Sequence, residues 1–370
     1  MIVISLFSKI IATFILIIYS ITLVEAQFNC PSTPSSKEDL QTFIVQLSSP
    51  EKAIDHYDFL KSCFNKEIND NIDQLIDHTV IKIASFGSFI CYIGQFSPSE
   101  AAVLASSPGV IRVENDKTAN LFAPTGTNLT LGPVGGNGNL CTSLTEFQAP
   151  PNLDRIDQKS PPLDGKYRYP ATSGLGVNVY IVDTGINTAN SEFGGRAKLG
   201  PAYCDGCSNV DDTGMSIGGG FSQILNNVTD QLVNAGVHVV AAAGNSATDA
   251  CNISPASAPN GIAVGATETR TDATADFSNF GRCVFIYAPG TNITAAGNSA
   301  ITALATYSGT SQAAPHVAGT VALIIAKDGN KSPAEMKVEL DKLSTKGIVT
   351  GNVSRTDLNN RFLRLPDCSK

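Results

Sequence analysis

The chain has 370 residues, 42% of them hydrophobic, and a formal net charge of −8 at pH 7. This length leaves room for two domains and a sizeable core. An acidic chain without a cluster of Lys and Arg does not fit a nucleic-acid-binding protein, because such proteins neutralise phosphates with a basic surface.

Residues 1–26 have the composition of a secretory signal peptide. Lys9 precedes an apolar run over residues 10–24, and the small residue Ala26 marks a cleavage site. The run is short for a membrane span, and no other stretch of the sequence approaches about 20 apolar residues. We therefore expect a secreted, extracellular protein that has no membrane contact once the signal is removed.

Residues 27–122 form the first predicted domain, a small α+β unit. Four stretches have strand patterns: residues 42–47, 79–84, 89–96 and 109–117. Residues 50–64 have the period of an amphipathic helix, and Ser97 begins a second helix with a capping box. The resulting βαββαβ order predicts an open sheet with two helices on one face.

Residues 123–151 are rich in Gly, Pro, Thr and Asn, which predicts an exposed linker where processing occurs. Residues 152–370 alternate strand and helix patterns and predict an α/β domain. Within it, residues 176–182 predict a buried strand whose C-terminal end presents Asp183. The later patterns predict a helix over residues 221–235, a parallel-type strand within residues 237–245, and helices over residues 310–326 and 333–343.

The sequence SGTSQAAPHVAG, residues 308–319, places Ser311 in a turn of small residues that opens an apolar helix. A helix start supplies unpaired N–H groups and the positive end of its dipole, which suit the anionic intermediate of acyl transfer. A serine nucleophile also needs a histidine base that a carboxylate orients, and a further donor for the oxyanion. Asp183 in YIVDTG provides a carboxylate, and Asn245 in AAAGN provides a donor.

No histidine of the sequence is placed to serve as that base. The four are His56, His78, His238 and His316. His316 follows Ser311 by five residues on the same predicted helix, about 140° around and about 7.5 Å along it, so it cannot reach the hydroxyl. His238 lies in a strand pattern, about 23 Å of extended chain before Asn245, and is expected to be a hydrogen-bonded core residue. The other two histidines fall in the first domain.

These motifs, in this order, resemble the subtilisin family of serine peptidases, and most of all its secreted proteinase K branch. The resemblance implies a three-layer parallel-sheet domain that hydrolyses peptide bonds of proteins or peptides through an acyl-enzyme on Ser311. It also implies an oxyanion hole made by Asn245 and the Ser311 N–H, with Asp183 orienting the histidine. Residues 27–122 resemble the inhibitor-type propeptide of this family, which blocks the cleft of the zymogen until it is cut away.

In this family the motif HGT-x-x-AG supplies the histidine, and the present sequence does not contain it. In subtilisin the histidine and the serine follow the aspartate by about 32 and about 189 residues. Here Ser311 follows Asp183 by 128 residues. The polar run SNVDDTG ends at Gly214, and MSIGGG starts at Met215 in the middle of the family's substrate-binding strand, so roughly 60 residues are absent between them.

We therefore predict a peptidase domain that is truncated by loss of its histidine segment and is inactive as written. Loss of one contiguous block through a buried strand fits a skipped exon or a faulty gene model better than selection on a working protein. The alternatives are a non-catalytic pseudopeptidase and a propeptide-type inhibitor or binding protein of related peptidases.

The resemblance also assigns substrate-binding positions. The strand edge that pairs with an extended substrate corresponds to Ser216, Ile217 and Gly218. The wall of the pocket for the side chain before the scissile bond corresponds to Ala241, Ala242, Ala243 and Gly244. Such small residues predict a roomy apolar pocket with broad specificity.

Secretion makes disulfides the expected state of the nine cysteines. The resemblance implies a disulfide between Cys251 and Cys283. Cys204 and Cys207 form a C-x-x-C motif, for which zinc is a weak interpretation and a partner lost with the absent block is the alternative. Six sequons favour a surface-exposed glycoprotein: Asn128, Asn227, Asn252, Asn292, Asn330 and Asn352.

Pro259 and Gly261 align with two carbonyl ligands of a calcium site in the proteinase K branch. The carboxylate that completes this site in relatives is replaced here by Phe285. Calcium is therefore not expected at this place, and the sequence predicts no metal or other cofactor.

Overall fold

The computed structural model describes residues 40–49, 52, 56, 59–60, 80–86, 88–116, 120–121, 143–183, 185–200, 217–351 and 360–366. The chain forms two compact units, which divide between Val113 and Glu114. Several predictions lie outside the described residues: the signal peptide over residues 1–26, most of the linker over residues 123–151, Cys204, Cys207, the junction between Gly214 and Met215, Ser216, and His78.

The first unit contains a four-stranded sheet, as the sequence patterns predict. Its strands are β1 (Gln41–Leu47), β2 (Val80–Phe86), β3 (Phe89–Phe96) and β4 (Val110–Asn115), in the spatial order β2-β3-β1-β4. Strand β3 pairs antiparallel with both β1 and β2. Helix α1 (Pro98–Ala105) begins with the predicted capping box, in which Ser97 and Glu100 exchange side-chain-to-backbone hydrogen bonds.

A histidine is buried in the core of the first unit. The apolar members of this core are Phe43, Val45, Leu47, Phe59, Leu60, Tyr92, Phe96, Ala101 and Leu104. The His56 ring is hydrogen-bonded through Nε2 to Tyr92 Oη at 2.8 Å and through Nδ1 to Ser107 Oγ at 3.3 Å. Burial disfavours the charged imidazolium and lowers the pKa of His56 from 6.5 to about 4.

The second unit is a mixed α/β domain. Its strands are β5 (Asn120–Leu121), β6 (Ser143–Phe147), β7 (Lys166–Pro170), β8 (Ile217–Gly220), β9 (Val240–Ala242), β10 (Ile253–Ser254), β11 (Ile262–Thr267), β12 (Ile286–Pro289), β13 (Ile293–Ala296), β14 (Leu304–Tyr307), β15 (Thr345–Lys346) and β16 (Arg361–Phe362). Its helices are α2 (Pro151–Ile156), α3 (Gln223–Asn234), α4 (Thr310–Asp328) and α5 (Pro333–Leu343). The last three confirm the helices predicted from the sequence.

The centre of this unit is a sheet in the order β15-β16-β12-β11-β9, in which β9, β11, β12 and β16 run parallel. Strand β11 is buried at all six positions, as a strand covered on both faces must be. Helix α4 packs its apolar side on this sheet through Val317, Val321 and Ile324. None of the helices in the described part of the chain is both long and apolar enough to cross a membrane.

The prediction of a buried strand over residues 176–182 is wrong. The segment is irregular, and four of its side chains are exposed: Val179 53%, Tyr180 81%, Ile181 66% and Val182 88%. A strand inside a parallel sheet is held by hydrogen bonds to its neighbours and by cover on its faces. Among the described residues the parallel sheet ends at β9, and β8 pairs with β5 and β10 instead of extending it. Among the described residues, the apolar segment of residues 176–182 therefore has no neighbouring strand with which to pair.

Acidification should destabilise the first unit through His56. The folded-state pKa of about 4 lies below the ordinary value of 6.5, so the unfolded chain binds the proton more readily between these pH values. The contribution of His56 to stability is therefore complete above pH 6.5 and falls as the pH drops toward 4. The expected loss is up to about 1.4 kcal/mol per pH unit, measured by hydrogen exchange of the β1 amides.

The variant His56→Gln keeps a hydrogen-bonding side chain that does not titrate, and it should flatten the pH dependence of β1 exchange. Measuring exchange within β1 separates this effect from that of His316 in the second unit, whose pKa burial also lowers to about 4. An unchanged slope in the variant would assign the acid sensitivity to other groups.

Candidate active site

Ser311 is the second residue of helix α4, the position that the sequence predicts for a nucleophile. The helix follows Gly309 directly, and a Cβ atom at Gly309 would lie 2.6 Å from Gln312 Oε1 and 3.1 Å from Asn245 Nδ2. A larger residue at this position would require the Gln312 and Asn245 side chains to move away from the helix start. Among the described residues the Ser311 N–H has no acceptor, as is usual in the first turn of a helix.

The Asn245 side chain is oriented by Thr310. Asn245 Oδ1 accepts hydrogen bonds from the Thr310 N–H at 2.8 Å and from the Thr310 hydroxyl at 2.7 Å. Because a backbone N–H can only donate, the atom that faces it must be the amide oxygen, and Nδ2 remains as the donor. The Thr310 hydroxyl also accepts the Gly244 N–H at 3.1 Å. Thr310 therefore holds in place the side-chain donor that the family resemblance assigns to the oxyanion hole.

Among the described residues, none acts as a base for the Ser311 hydroxyl. Its Oγ is buried and has no hydrogen-bond partner in this part of the chain. A buried hydroxyl without a partner is uncommon in a folded protein, because its desolvation is not compensated. The free hydroxyl marks the position where a proton acceptor would have to act for the serine to attack a carbonyl.

The histidines in the described part of the chain are engaged elsewhere. The His316 Nδ1–H donates to Gln312 O at 2.7 Å, so its Nε2 accepts from Asn152 Nδ2 at 2.9 Å. Both bonds fit a neutral ring, in line with the burial that lowers its pKa. His238 is half-buried and bonds through Nε2 to Asn330 Oδ1 at 2.9 Å. None of these contacts involves Ser311.

Asp183 is half-buried and follows the irregular, exposed segment of residues 176–182. The sequence analysis placed this carboxylate at the end of a strand in the parallel sheet. With that strand absent from the described structure, the sheet does not fix the position of Asp183 relative to Ser311. The structure thus brings together Ser311 and Asn245, and its described residues do not bring a carboxylate–histidine pair to them.

Strand β8 contains two of the predicted substrate-binding positions. Its backbone pairs antiparallel with β5, with Asn120 opposite Gly218 and Leu121 opposite Ile217. On its other side β8 pairs with β10. A short extended segment from just before the linker therefore lies along the strand edge that the family resemblance assigns to an extended substrate.

Glu114, the first residue of the second unit, caps helix α3, a contact that the sequence did not suggest. Glu114 accepts the Ser222 hydroxyl at 2.6 Å and the Gln223 and Ile224 N–H groups at 3.0 and 3.3 Å. An anion at this place compensates the unpaired N–H groups and the positive end of the helix dipole. The partners are 108 residues or more apart in the sequence, so no local signal announces the contact.

The predicted pocket wall follows the end of strand β9, where Ala241, Ala243 and Gly244 are buried and Ala242 is half-buried. A buried side chain, Asn279, fixes this turn. Its Nδ2 donates to Ala243 O at 2.8 Å, and its Oδ1 accepts the Ser246 and Thr248 N–H groups. A Cβ atom at Gly244 would collide with Asn279 Nδ2, so glycine is required there. The sequence analysis missed Asn279 because its role depends on tertiary contacts alone.

The structure contains the Cys251–Cys283 disulfide that the family resemblance implies, with Cα atoms 5.3 Å apart. It joins the region after Asn245 to the segment that enters strand β12. Cys91 in the first unit is a buried free thiol, and burial raises its pKa, so it is not an activated nucleophile.

Replacement of the Thr310 hydroxyl should destabilise the second unit. The variant Thr310→Val leaves the buried Gly244 N–H without its acceptor and removes one donor to Asn245. We expect the free energy of unfolding to fall by about 1–3 kcal/mol, measured by urea denaturation. The control Thr310→Ser keeps the hydroxyl and should be the more stable of the two variants. Equal stability of Thr310→Val and the unmodified chain would contradict this role.

Comparison with known proteins agrees with this geometry. The sequence profile of the Subtilase family matches residues 176–355. Alkaline serine exoprotease A of Vibrio alginolyticus is 30% identical over 354 residues, and the match covers 80% of this chain and 61% of that protein's length. The extracellular serine proteinase of Thermus sp. (strain Rt41A) is 34% identical over 308 residues, covering 68% of this chain and 70% of that protein.

The crystal structure of a cold adapted subtilisin-like serine proteinase is similar in fold, with a TM-score of 0.51 at 30% sequence identity. The superposition covers 59% of this chain and 98% of that chain. The nucleophile helix, the parallel sheet and the extent of these matches agree with one another, and the chain belongs to the subtilase family of serine peptidases.

Proposed function

We propose that this chain is a form of a secreted subtilisin-like serine endopeptidase precursor. Because its sequence lacks the histidine segment, the chain does not hydrolyse peptide bonds. The observation that supports this most directly is the buried Ser311 Oγ, which has no hydrogen-bond partner among the described residues, while the expected oxyanion donors are in place. The encoded reaction is attack of the serine on a peptide carbonyl of a protein or peptide substrate. The chain retains the groups that stabilise its intermediate and lacks the group that removes the serine proton.

The retained groups have distinct parts in that reaction. Attack by Ser311 Oγ turns the carbonyl oxygen into an oxyanion, which the Ser311 N–H and Asn245 Nδ2 are placed to receive as hydrogen-bond donors. The attacking hydroxyl must lose its proton in the same step, and neutral serine is a weak nucleophile without an adjacent base. In subtilisin, removal of the catalytic histidine alone lowers turnover about 10⁶-fold.

Labelling with an active-site probe tests this proposal. The purified chain should show no reaction of Ser311 with a fluorophosphonate, because the probe reports an activated serine. A variant that carries an HGT-x-x-AG segment of roughly 60 residues between Gly214 and Met215 should be labelled, and Ser311→Ala in that background should not. Stoichiometric labelling of the unmodified chain at Ser311 would disprove the inactive state.

Residues 27–122 favour a second function, inhibition of intact peptidases of this family. The pairing of β5 with the substrate-binding strand β8 is the arrangement expected of a propeptide that blocks its own cleft. The Glu114 carboxylate supports the same interpretation, since it belongs to residues 27–122 and caps the start of α3. A pseudopeptidase that binds peptides along β8 would have to release β5 first.

The segment of residues 27–122 should therefore slow an intact subtilisin-like peptidase in trans. Glu114→Gln removes the charge from the helix cap and should weaken inhibition by roughly 10- to 100-fold, because hydrogen bonds to a charged group contribute about 1.5–3 kcal/mol. Asp116→Asn, which neutralises an exposed carboxylate two residues away, is the matched control and should inhibit like the unmodified segment. No inhibition at micromolar concentration would leave residues 27–122 a domain without this role.

A further inference from the structure

The carbonyl groups that align with a calcium site hold a lysine side chain in this chain. Lys337 of helix α5 donates from Nζ to Gly261 O at 3.0 Å and to Pro259 O at 3.3 Å. The two carbonyls belong to the turn that enters strand β11. Two converging carbonyl oxygens concentrate negative partial charge, and a cation is the group that such a turn stabilises.

The residues around this turn do not fit calcium. Ca²⁺ takes about 6–8 oxygen ligands, among them carboxylates, at about 2.3–2.6 Å. Phe285 stands where the family's carboxylate would be, and the Lys337 ammonium occupies the same two carbonyls with a positive charge of its own. A divalent ion would meet charge repulsion and lose an anionic ligand in the same place.

Phe285 suits an organic cation instead of a metal. The Lys337 Nζ lies 5.0 Å from the centre of its ring, and the Arg361 guanidinium lies 4.8 Å from it. The face of an aromatic ring carries negative electrostatic potential and attracts ammonium and guanidinium groups. Arg361 also donates from Nη1 to Phe285 O at 3.3 Å. The substitution at position 285 and the lysine at position 337 are therefore chemically complementary.

The charged groups near Lys337 shift its pKa in opposite directions. Burial is the main cause that lowers the pKa of Lys337, Arg361 lowers it further, and Asp230 of helix α3 raises it. Asp230 also accepts the Asn260 N–H at 3.0 Å and so holds the same turn from its other side. A partly desolvated ammonium is retained here because two carbonyls and the ring replace its hydration.

We propose that the Lys337 ammonium is a built-in replacement for the calcium ion at this turn, so that the turn is stable without a metal. The inference is independent of catalysis, since it concerns only how helix α5 is fastened to strand β11. It assigns to a side chain of the protein the charge that a bound ion supplies in the aligned site.

Two variants of the full chain test the role of the ammonium. Lys337→Met keeps the length of the side chain and removes the charge, and it should lower the melting temperature by roughly 3–10 °C. Lys342→Met, on the exposed face of the same helix, is the matched control and should change it by no more than about 2 °C. Equal melting temperatures for the two variants would overturn the proposal.

A second experiment tests whether the Lys337 ammonium takes the place of calcium, by removing the lysine and restoring the carboxylate. The double variant Phe285→Asp/Lys337→Ala restores a carboxylate and empties the space at the carbonyls. Its melting temperature should rise by roughly 5–10 °C on replacing a chelator with excess calcium, a rise that the unmodified chain does not show to the same extent. Calorimetric titration should find one more bound calcium than in the unmodified chain.

A double variant that responds to calcium no more than the unmodified chain would overturn the proposal. If the double variant does not fold, the comparison of Lys337→Met with Lys342→Met decides the question alone, because both carry a single conservative change on one helix.

Discussion

The hydrogen bonds between Thr310 and Asn245 join the two elements on which the candidate site depends. They connect the first residue of helix α4 to the turn after strand β9, and the same hydroxyl accepts the Gly244 N–H. A hydroxyl can donate one bond and accept others, so a single side chain orients an amide and a backbone group at once. Because α4 and β9 both pack into the same apolar core, their relative position is fixed, and the donors aimed at an oxyanion are fixed with it.

The fold holds the expected oxyanion donors in place but does not hold the expected catalytic carboxylate, and the difference has a structural reason. The donors that the family resemblance assigns to the oxyanion hole lie on elements that hold each other in place, namely α4, β9 and the turn that Asn279 fixes. The carboxylate lies after residues 176–182, whose exposed Tyr180 and Val182 forgo the roughly 1.5–3 kcal/mol that burial of an apolar side chain can contribute. In a parallel sheet, the strand that positions a catalytic group is itself positioned by its neighbours. Among the described residues, the segment before Asp183 has no such neighbour, and the sheet does not hold this carboxylate in place.

Two side chains supply fixed charges to backbone groups that would otherwise be unpaired. Glu114 places an anion at the N–H groups that begin helix α3, and Lys337 places a cation at the carbonyls that precede strand β11. In both cases the charge matches the sign of the exposed backbone dipoles, and the hydrogen bonds compensate the desolvation of the charged group. Asp230 lies on α3 and accepts the Asn260 N–H of the same turn, so α3 is linked by a hydrogen bond to the turn that precedes β11.

The sequence by itself determined the features that depend on near neighbours. The capping box at Ser97, the extent of α4 and the position of Ser311 follow from caps, helical period and turn chemistry within a few residues. The motifs also sufficed to identify the family and to show that its histidine motif is absent. The tertiary structure decided the rest: the irregular course of residues 176–182, and the contacts of Glu114, Asn279 and Lys337. These partners lie between 31 and 110 residues apart in the chain, and an apolar pattern is compatible with a strand whether or not a neighbouring strand exists. Only the folded arrangement shows which backbone groups are left for a side chain to pair.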